Sequence, residues 1–424
     1  MKQVSVTLST YTADVSGVCS ALYELGGMVV IHDPSGCNST YNTHDEPRWY
    51  DMDSLIFISG LSQMDAIMGN DDKFINDIVR AAKELKPRFI ALVRTPIPLM
   101  TGTDFEGIAR IIEKQTQIPV FYFPTSGMHS YVSGAGMALE TVARELVLPT
   151  NANGHFKENG IEIENVSNEL SVADTKKQNQ QKLNQSEQKQ IENTESKQSN
   201  SKIKINILGA TPLDFSVNST LDSIKEFLSK HFEIISTFAM GSSIEDIQKA
   251  DVNLVISSVG FPAAKVLEER FSTPYVIGTP VKGFAGIIAE KLIDAAWTGK
   301  SQTAYFSVTS SGKNISRAAN GIYIIGESVI SQSLKAAMAL KQGIDATVIC
   351  PLETEPEYIG ENVLLFSSEE EIKAAIAEAK TVIADPIYKT ICADETNFIA
   401  LPHEAFSGRI YRKEIHNLME WVTI

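Results

Sequence analysis

The chain has 424 residues, 43% of them hydrophobic, and a formal net charge of −15. That length is a prior for about three domains, and the acidic balance excludes the clustered Lys and Arg of a nucleic-acid binder. No apolar run reaches membrane-spanning length, the start Met1-Lys2-Gln3-Val4-Ser5-Val6-Thr7-Leu8 lacks the apolar core of a signal peptide, and four cysteines without short pairing make no disulfide framework. The expectation is a cytoplasmic protein without membrane or nucleic-acid partners.

Residues 1–150 alternate short apolar runs with helical patterns. Strands are predicted at Met28–His32, Ser54–Ile58, Phe89–Val93 and Val120–Phe123, with helices at Val18–Leu25, Asp71–Leu85 and Asp104–Lys114. Strand and helix alternating at this spacing predict parallel βαβ units and a doubly wound sheet. Residues 151–202 differ in kind. From Lys157 to Lys202 the chain is rich in Gln, Asn, Ser, Lys and Glu and has no aromatic residue, so it reads as a disordered linker that buries too little apolar surface to offset its ordering entropy.

Order is predicted to resume at Ile203. A second unit, 203–315, has strands at Ile203–Leu208, Phe232–Thr237, Val252–Ser257 and Tyr275–Ile277, with helices at Ser219–Lys230, Ala263–Arg270 and Gly283–Thr298. A third, 316–424, has strands at Ile322–Ile325, Ala346–Ile349 and Thr381–Ile383 and helices at Ser331–Gln342 and Glu369–Ala379. The predicted fold is α/β: three consecutive Rossmann-like domains, each a doubly wound parallel sheet.

The run His32-Asp33-Pro34-Ser35-Gly36-Cys37 follows the first strand and delivers a cysteine at the tip of a tight turn. Pro34 presets φ and Gly36 allows conformations that a Cβ forbids, so the backbone can approach a bulky group closely. A thiolate on such a turn suits a soft metal or an iron–sulfur cluster; the plainer reading is a buried structural cysteine. Two other glycine motifs carry no nucleotide. Gly299-Lys300-Ser301 lacks the earlier glycine of a phosphate loop, having Asp294 there, and follows a helix instead of opening one. Gly134-Ala135-Gly136 lacks the third glycine of a dinucleotide fingerprint. The chain is expected to have no nucleotide site of its own.

With these pieces in order, the chain resembles the nitrogenase component 1 family. The likeness runs from the His32–Cys37 turn through Met68-Gly69-Asn70-Asp71-Asp72-Lys73-Phe74, Lys86-Pro87, Val93-Arg94-Thr95, Gly102-Thr103-Asp104 and Ile118-Pro119-Val120. It continues in Gly241-Ser242-Ser243-Ile244-Glu245-Asp246-Ile247, whose Ser242/Glu245 spacing reads as a capping box, and in Gly326-Glu327 after a strand. The resemblance implies a homodimer, or a heterodimer with a homologous component 1 subunit, with an iron–sulfur cluster at the interface of the first domains. It implies a separate ATP-dependent P-loop reductase as electron donor and a substrate site among the three domains.

The family's cluster is typically held by three cysteines per subunit. Cys37 matches the middle one; the first has no counterpart near Tyr11–Ala13, leaving Cys19 as a displaced candidate, and Pro96 stands where the third is expected. Two chains giving Cys19 and Cys37 each, or Cys37 with ligands from a different partner, are the open arrangements. His32 and Gly36 would shape that loop, with His44 nearby. Leu401-Pro402-His403-Glu404-Ala405-Phe406-Ser407-Gly408-Arg409 resembles the family's loop that presents a histidine to the active-site cofactor, which makes His403 a ligand there or a proton donor to substrate. No cysteine occurs between residues 203 and 315, against a molybdenum cofactor held by cysteine and histidine. Arg48, Arg94 and His129 are expected to line the substrate cleft, and Cys350 and Cys392 to be structural. The implied function is the substrate-reducing subunit of a two-component reductase; the alternatives are an assembly scaffold for a metallocluster or tetrapyrrole, and a metal-free ligand-binding homologue.

Overall fold

A computed structural model describes residues 6–9, 11–36, 46–149, 202–216, 220–241, 244–306 and 321–421. The first sheet is built from β1 (Met28–His32), β2 (Ile56–Ile58), β3 (Ile90–Arg94) and β4 (Val120–Phe123), all parallel, in the order β2-β1-β3-β4. Its central strand, Met-Val-Val-Ile-His, is buried throughout because helices cover both faces, which is why it reads as an unbroken apolar run instead of an alternating one.

The helices here are α1 (Asp14–Leu22), α2 (Gln63–Met68), α3 (Asp71–Leu85), α4 (Pro96–Thr101), α5 (Phe105–Thr116) and α6 (Tyr131–Glu145). On one face, Met28, Val30, Ile90 and Leu92 pack against Phe74 and Ile78 of α3 and Phe105 and Ile112 of α5. On the other, Val29, Ile31, Ala91 and Val93 share a core with α1 and α6. These two helices touch backbone to backbone. A Cβ on Gly17 would lie 2.3 Å from the Tyr131 carbonyl oxygen, and one on Gly134 only 1.9 Å from that of Asp14. The Gly134-Ala135-Gly136 run is therefore a helix-packing surface.

The second sheet has the order β6-β5-β7-β8-β9, again parallel: β5 (Ile203–Leu208), β6 (Phe232–Phe238), β7 (Val252–Val255), β8 (Tyr275–Ile277) and β9 (Gln302–Thr303). Its helices are α7 (Pro212–Phe215), α8 (Thr220–Ser229), α9 (Phe261–Phe271) and α10 (Ala285–Thr298). Gly299 ends α10 with φ +67°, the conformation of a helix C-terminus, so Gly299-Lys300-Ser301 stops a helix as expected. The third sheet, order β12-β11-β10-β13-β14, comprises β10 (Ile322–Ile325), β11 (Thr347–Cys350), β12 (Val363–Leu365), β13 (Thr381–Ala384) and β14 (Asn397–Ala400), with α11 (Ser328–Gln342), α12 (Glu369–Ala375) and α13 (Glu404–Ser407). Three parallel sheets with flanking helices give the α/β fold that the sequence predicts.

The sheets are tied together. Helix α6 lies between α1 and α9; Gly136 approaches Pro262, and Arg270 donates to the Ala143 carbonyl at 2.6 Å. Thr12 N–H donates to the Ala405 carbonyl and accepts, at its own carbonyl, the Tyr131 N–H. Three consecutive N–H groups, of Val6, Thr7 and Leu8, converge on Glu369 Oε2 at 2.7–2.9 Å and hold that carboxyl down to about 2, against burial. Residues 151–201 and the expected boundary at 315/316 lie outside the described residues, as do Cys37, His44 and Ser242.

Candidate functional site

In the second sheet the strand order reverses between β5 and β7, and in the third between β10 and β13. Crevices at the carboxyl ends of strands beside such a switch are where open α/β sheets bind ligands. Here the two crevices face each other. The turn after β5 leads into α7 with Asp214, the turn after β7 carries Ser258, the turn after β10 carries Glu327, and the turn after β14 carries His403. Tyr131, the first residue of α6, reaches in from the first sheet.

Each carboxyl at this junction has assigned donors. Asp214 accepts the Tyr131 hydroxyl at Oδ1 and the Thr211 hydroxyl at Oδ2, 2.9 Å away. Burial, then Asp214, pushes the Tyr131 hydroxyl well above its ordinary value, so it stays a donor. Glu327 is 1% exposed. Its Oε1 accepts both the N–H (2.9 Å) and the hydroxyl of Ser258, and its Oε2 caps α11 through Ile330 N–H at 2.8 Å. Burial raises the Glu327 carboxyl first, and Asp214 raises it further, against these donors.

His403 caps α13, its Nδ1 accepting the Ala405 N–H at 3.3 Å, and Asp385 Oδ2 accepts the His403 N–H at 2.8 Å. Because Nδ1 accepts, the ring proton sits on Nε2, 3.6 Å from Asp214 Oδ1 and without a hydrogen-bond partner. The ring packs against Phe406, centroids 4.7 Å apart. Asp214, Thr220, Glu327, Ser331, His403 and His416 line a cavity of about 30 Å³, enough for a water-sized group. One ring nitrogen of His403 thus caps a helix, and the other carries its proton towards Asp214.

The remaining expected residues lie elsewhere. Arg48 is buried but internally committed: its guanidinium binds Glu46 and Glu24 at 2.7 Å and the Ser20 carbonyl at 2.8 Å, and it lies over the Tyr23 ring. Glu24 in turn accepts Gly241 N–H, so Arg48 joins the first sheet's helices to the second. Arg94 donates to the Thr125 and Pro124 carbonyls at 3.0 and 2.9 Å and holds the end of β4. His129 is 59% exposed beside Glu353. None of the three lines the His403 cavity.

His32 and Gly36 stay at the first sheet. His32 stacks on Phe74 with centroids 3.9 Å apart and bonds Ser59 Oγ through Nδ1 at 2.9 Å. Burial pushes its imidazole down to about 4, so it is neutral at ordinary pH. It edges a separate cavity of about 250 Å³, floored by Met28, Val30, Phe57 and Ile78. Around Gly36 a Cβ would meet nothing within 4 Å.

The thiols decide how far a cluster fits. Cys19 lies in the middle of α1, fully buried in the core, and burial drives its thiol strongly upward, then Glu46 adds to it. A cluster ligand must be a thiolate facing the metal, so Cys19 does not fit that role. Cys350 is buried, raised to about 12 by burial, and donates to the Leu352 carbonyl; Cys392 donates to that of Tyr388. Both act as structural thiols. Among the described residues no group of three His, Cys, Asp or Glu side chains is arranged to hold a metal ion, and no helix is long and apolar enough to cross a membrane.

Asp214 and Tyr131 escaped the sequence reading altogether. The sequence marked Glu327 only as the residue after a strand and glycine; its partner, Ser258, comes from a turn 69 residues earlier.

Comparison with known proteins agrees with the geometry at the level of fold. A search of curated proteins finds no match. Among solved structures, one described as nitrogenase Cp1 at pH 6.5 is similar at a TM-score of 0.50 and 14% identity, over 84% of this chain and 64% of that one. Another, nitrogenase Cp1 at pH 5, gives 0.57 and 13% over 97% of this chain and 86% of that one. At such identities the likeness is one of fold, and the chain spans less than two thirds of the first structure's length. The family model for nitrogenase component 1 type oxidoreductases matches residues 16–289, well over half of the sequence, and the chain belongs to that family.

Proposed function

We propose that this chain is the substrate-reducing, component-1-type subunit of a cytoplasmic two-component reductase, and that reduction takes place at the junction of the second and third sheets with His403 supplying protons. The convergence of His403, Asp214 and Glu327 on one cavity carries the reading, because a substrate gaining electrons must also gain protons from positioned acids. Electrons come from a separate ATP-hydrolysing P-loop protein.

The partner subunit is a second copy or a homologue. A surface on the first sheet supports this: α2 buries none of its residues, and Met64, Ile67 and Met68 are 65–72% exposed near Leu99 and Met100 of α4. Of the two cluster arrangements, the one that draws Cys19 from each chain is disfavoured by that residue's burial. The cluster consistent with this chain is held by Cys37 with its remaining ligands from the partner.

Anaerobic co-purification with the natural partners, iron analysis and a turnover assay test the reading. His403→Gln is expected to lower turnover about 100-fold or more, the usual contribution of a general acid, with the complex intact. Turnover unaffected by His403→Gln sinks the assignment of the site. A metal-free ligand-binding homologue is the second reading, favoured by the two buried carboxyls and the small cavity; iron-free protein in the intact complex decides for it.

A further inference from the structure

We infer that the cavity between β2 and α3 in the first sheet is a binding site for a small uncharged aromatic molecule carrying a hydroxyl group. It shares no described lining residue with the His403 cavity, and its test needs no turnover.

The cavity arises at an edge of the sheet. Strand β2 is outermost and, among the described residues, pairs only with β1, where Phe57 stands opposite Val30 in the register. Side chains therefore alternate so that Met28, Val30 and Phe57 share the face covered by α3. Met28, Val30 and Ile78 are buried there, whereas Phe57 is 40% exposed. A half-exposed phenylalanine beside a buried aliphatic floor is apolar surface that a ligand can take out of water. The volume of about 250 Å³ sets the size of that ligand. It exceeds the roughly 150 Å³ that accepts a benzene ring and falls below the roughly 300 Å³ at which drug-sized sites begin. One or two rings match it.

The polar groups select the ligand's charge and its handle. On the rim, Lys73 pairs with Asp65 at 3.5 Å and Arg80 with Asp77 at 2.7 Å. Two cations against two carboxylates leave no net charge to hold an ion, so an uncharged guest is favoured. His32 is the lining's one almost wholly buried polar side chain among the described residues, at 4% exposure. Its Nδ1 is engaged with Ser59 Oγ at 2.9 Å, which leaves Nε2 as the ring atom for a guest. A neutral imidazole donates or accepts at Nε2 according to its tautomer, and a hydroxyl answers both, being donor and acceptor at once. Phe57, and Phe74 stacked on His32, offer rings against which a second aromatic packs better than an aliphatic chain of equal size. A hydroxyl on a flat apolar body therefore matches the donor–acceptor atom, the apolar floor and the balanced rim together.

Ligand-observed NMR titration of the full-length protein with p-cresol and with its isostere p-xylene tests this. Saturable binding of p-cresol is expected, about tenfold tighter than p-xylene, the usual worth of one hydrogen bond. His32→Phe keeps a ring in place and removes the polar atom, so the two probes should then bind alike. Ala81→Trp, at a half-buried lining position on α3, fills the cavity from its rim and should abolish both. Should His32→Phe fail to fold, the cresol-to-xylene ratio in the wild type and the loss in Ala81→Trp still decide. No saturable binding of p-cresol, equal affinity for the two probes in the wild type, or binding that Ala81→Trp leaves unchanged overturns the inference. Affinity that falls as protein concentration rises gives the cavity to a second copy of the chain and overturns it as well.

Discussion

Around Cys19 and around His403 the protein buries opposite kinds of material. Helices α1 and α6 meet through glycines, and Cys19 is sealed between Val18, Leu22 and the first sheet with nothing to ionise it. At the second site, two carboxyls, a tyrosine hydroxyl and an imidazole are withdrawn from water, Asp214 bonded to Tyr131, Glu327 to Ser258, and the His403 ring 3.6 Å from Asp214. A dry interior keeps a thiol protonated; a polar interior keeps acids poised. Chemistry is therefore expected where the hydrogen bonds converge, not at the buried Cys19.

Four substitutions break or sharpen this contrast, beginning with the largest. Gly134→Val drives a side chain into the Asp14 carbonyl and is expected to cost about 4 kcal/mol or more, seen as failure to accumulate folded protein or a collapsed denaturant midpoint. A midpoint unchanged from the wild type would mean that the two helices are not in backbone contact. Asp214→Ala leaves the Tyr131 and Thr211 hydroxyls buried without an acceptor, for a loss of about 2–4 kcal/mol in chemical denaturation, with Asp214→Asn milder.

His32 gives the pH dependence. Its folded value of about 4 lies below the ordinary 6.5. Between those values only the unfolded chain binds the proton, so stability is complete above pH 6.5 and declines as the pH falls towards about 4. The size of the shift corresponds to roughly 3–3.5 kcal/mol. His32→Gln should flatten that stretch of the stability–pH curve; an unaltered slope assigns it to another group. The smallest effect is expected at Cys19. Cys19→Ser places a hydroxyl in an apolar helix core at about 1–2 kcal/mol and leaves iron content unchanged, whereas loss of iron would return Cys19 to the cluster.

Most of the architecture was legible because parallel strands buried on both faces are short, apolar and regularly spaced. Met28–His32, Val120–Phe123, Ile203–Leu208, Tyr275–Ile277 and Ile322–Ile325 fall where the apolar runs predict. Helix α6 was not, since Gly134 and Gly136 drew notice only as an incomplete dinucleotide motif, although contact with α1 and α9 is what requires them small. Edge strands β9, β12 and β14 are two to four residues long and only partly buried, too brief to show a period. At the site, His403 was visible in its loop. Asp214 and Tyr131 were not, because their meaning arises from a contact across 83 positions that no local pattern announces. Arg48 was misplaced for the same reason: charge in a loop is visible in sequence, whereas the carboxylates that occupy it are not.

The glycine contact between α1 and α6 also bears on the order of assembly. Gly17 meets the backbone of Tyr131, and Gly134 that of Asp14, so the glycine-lined face of the first helix has no partner until the sixth exists. Contacts of such long sequence separation close slowly, because the loop between them must be confined before any contact rewards it. During synthesis, α1 therefore waits through the making of β1 to β4 with its Gly17 face uncovered, a stretch in which that face is open to association with other chains.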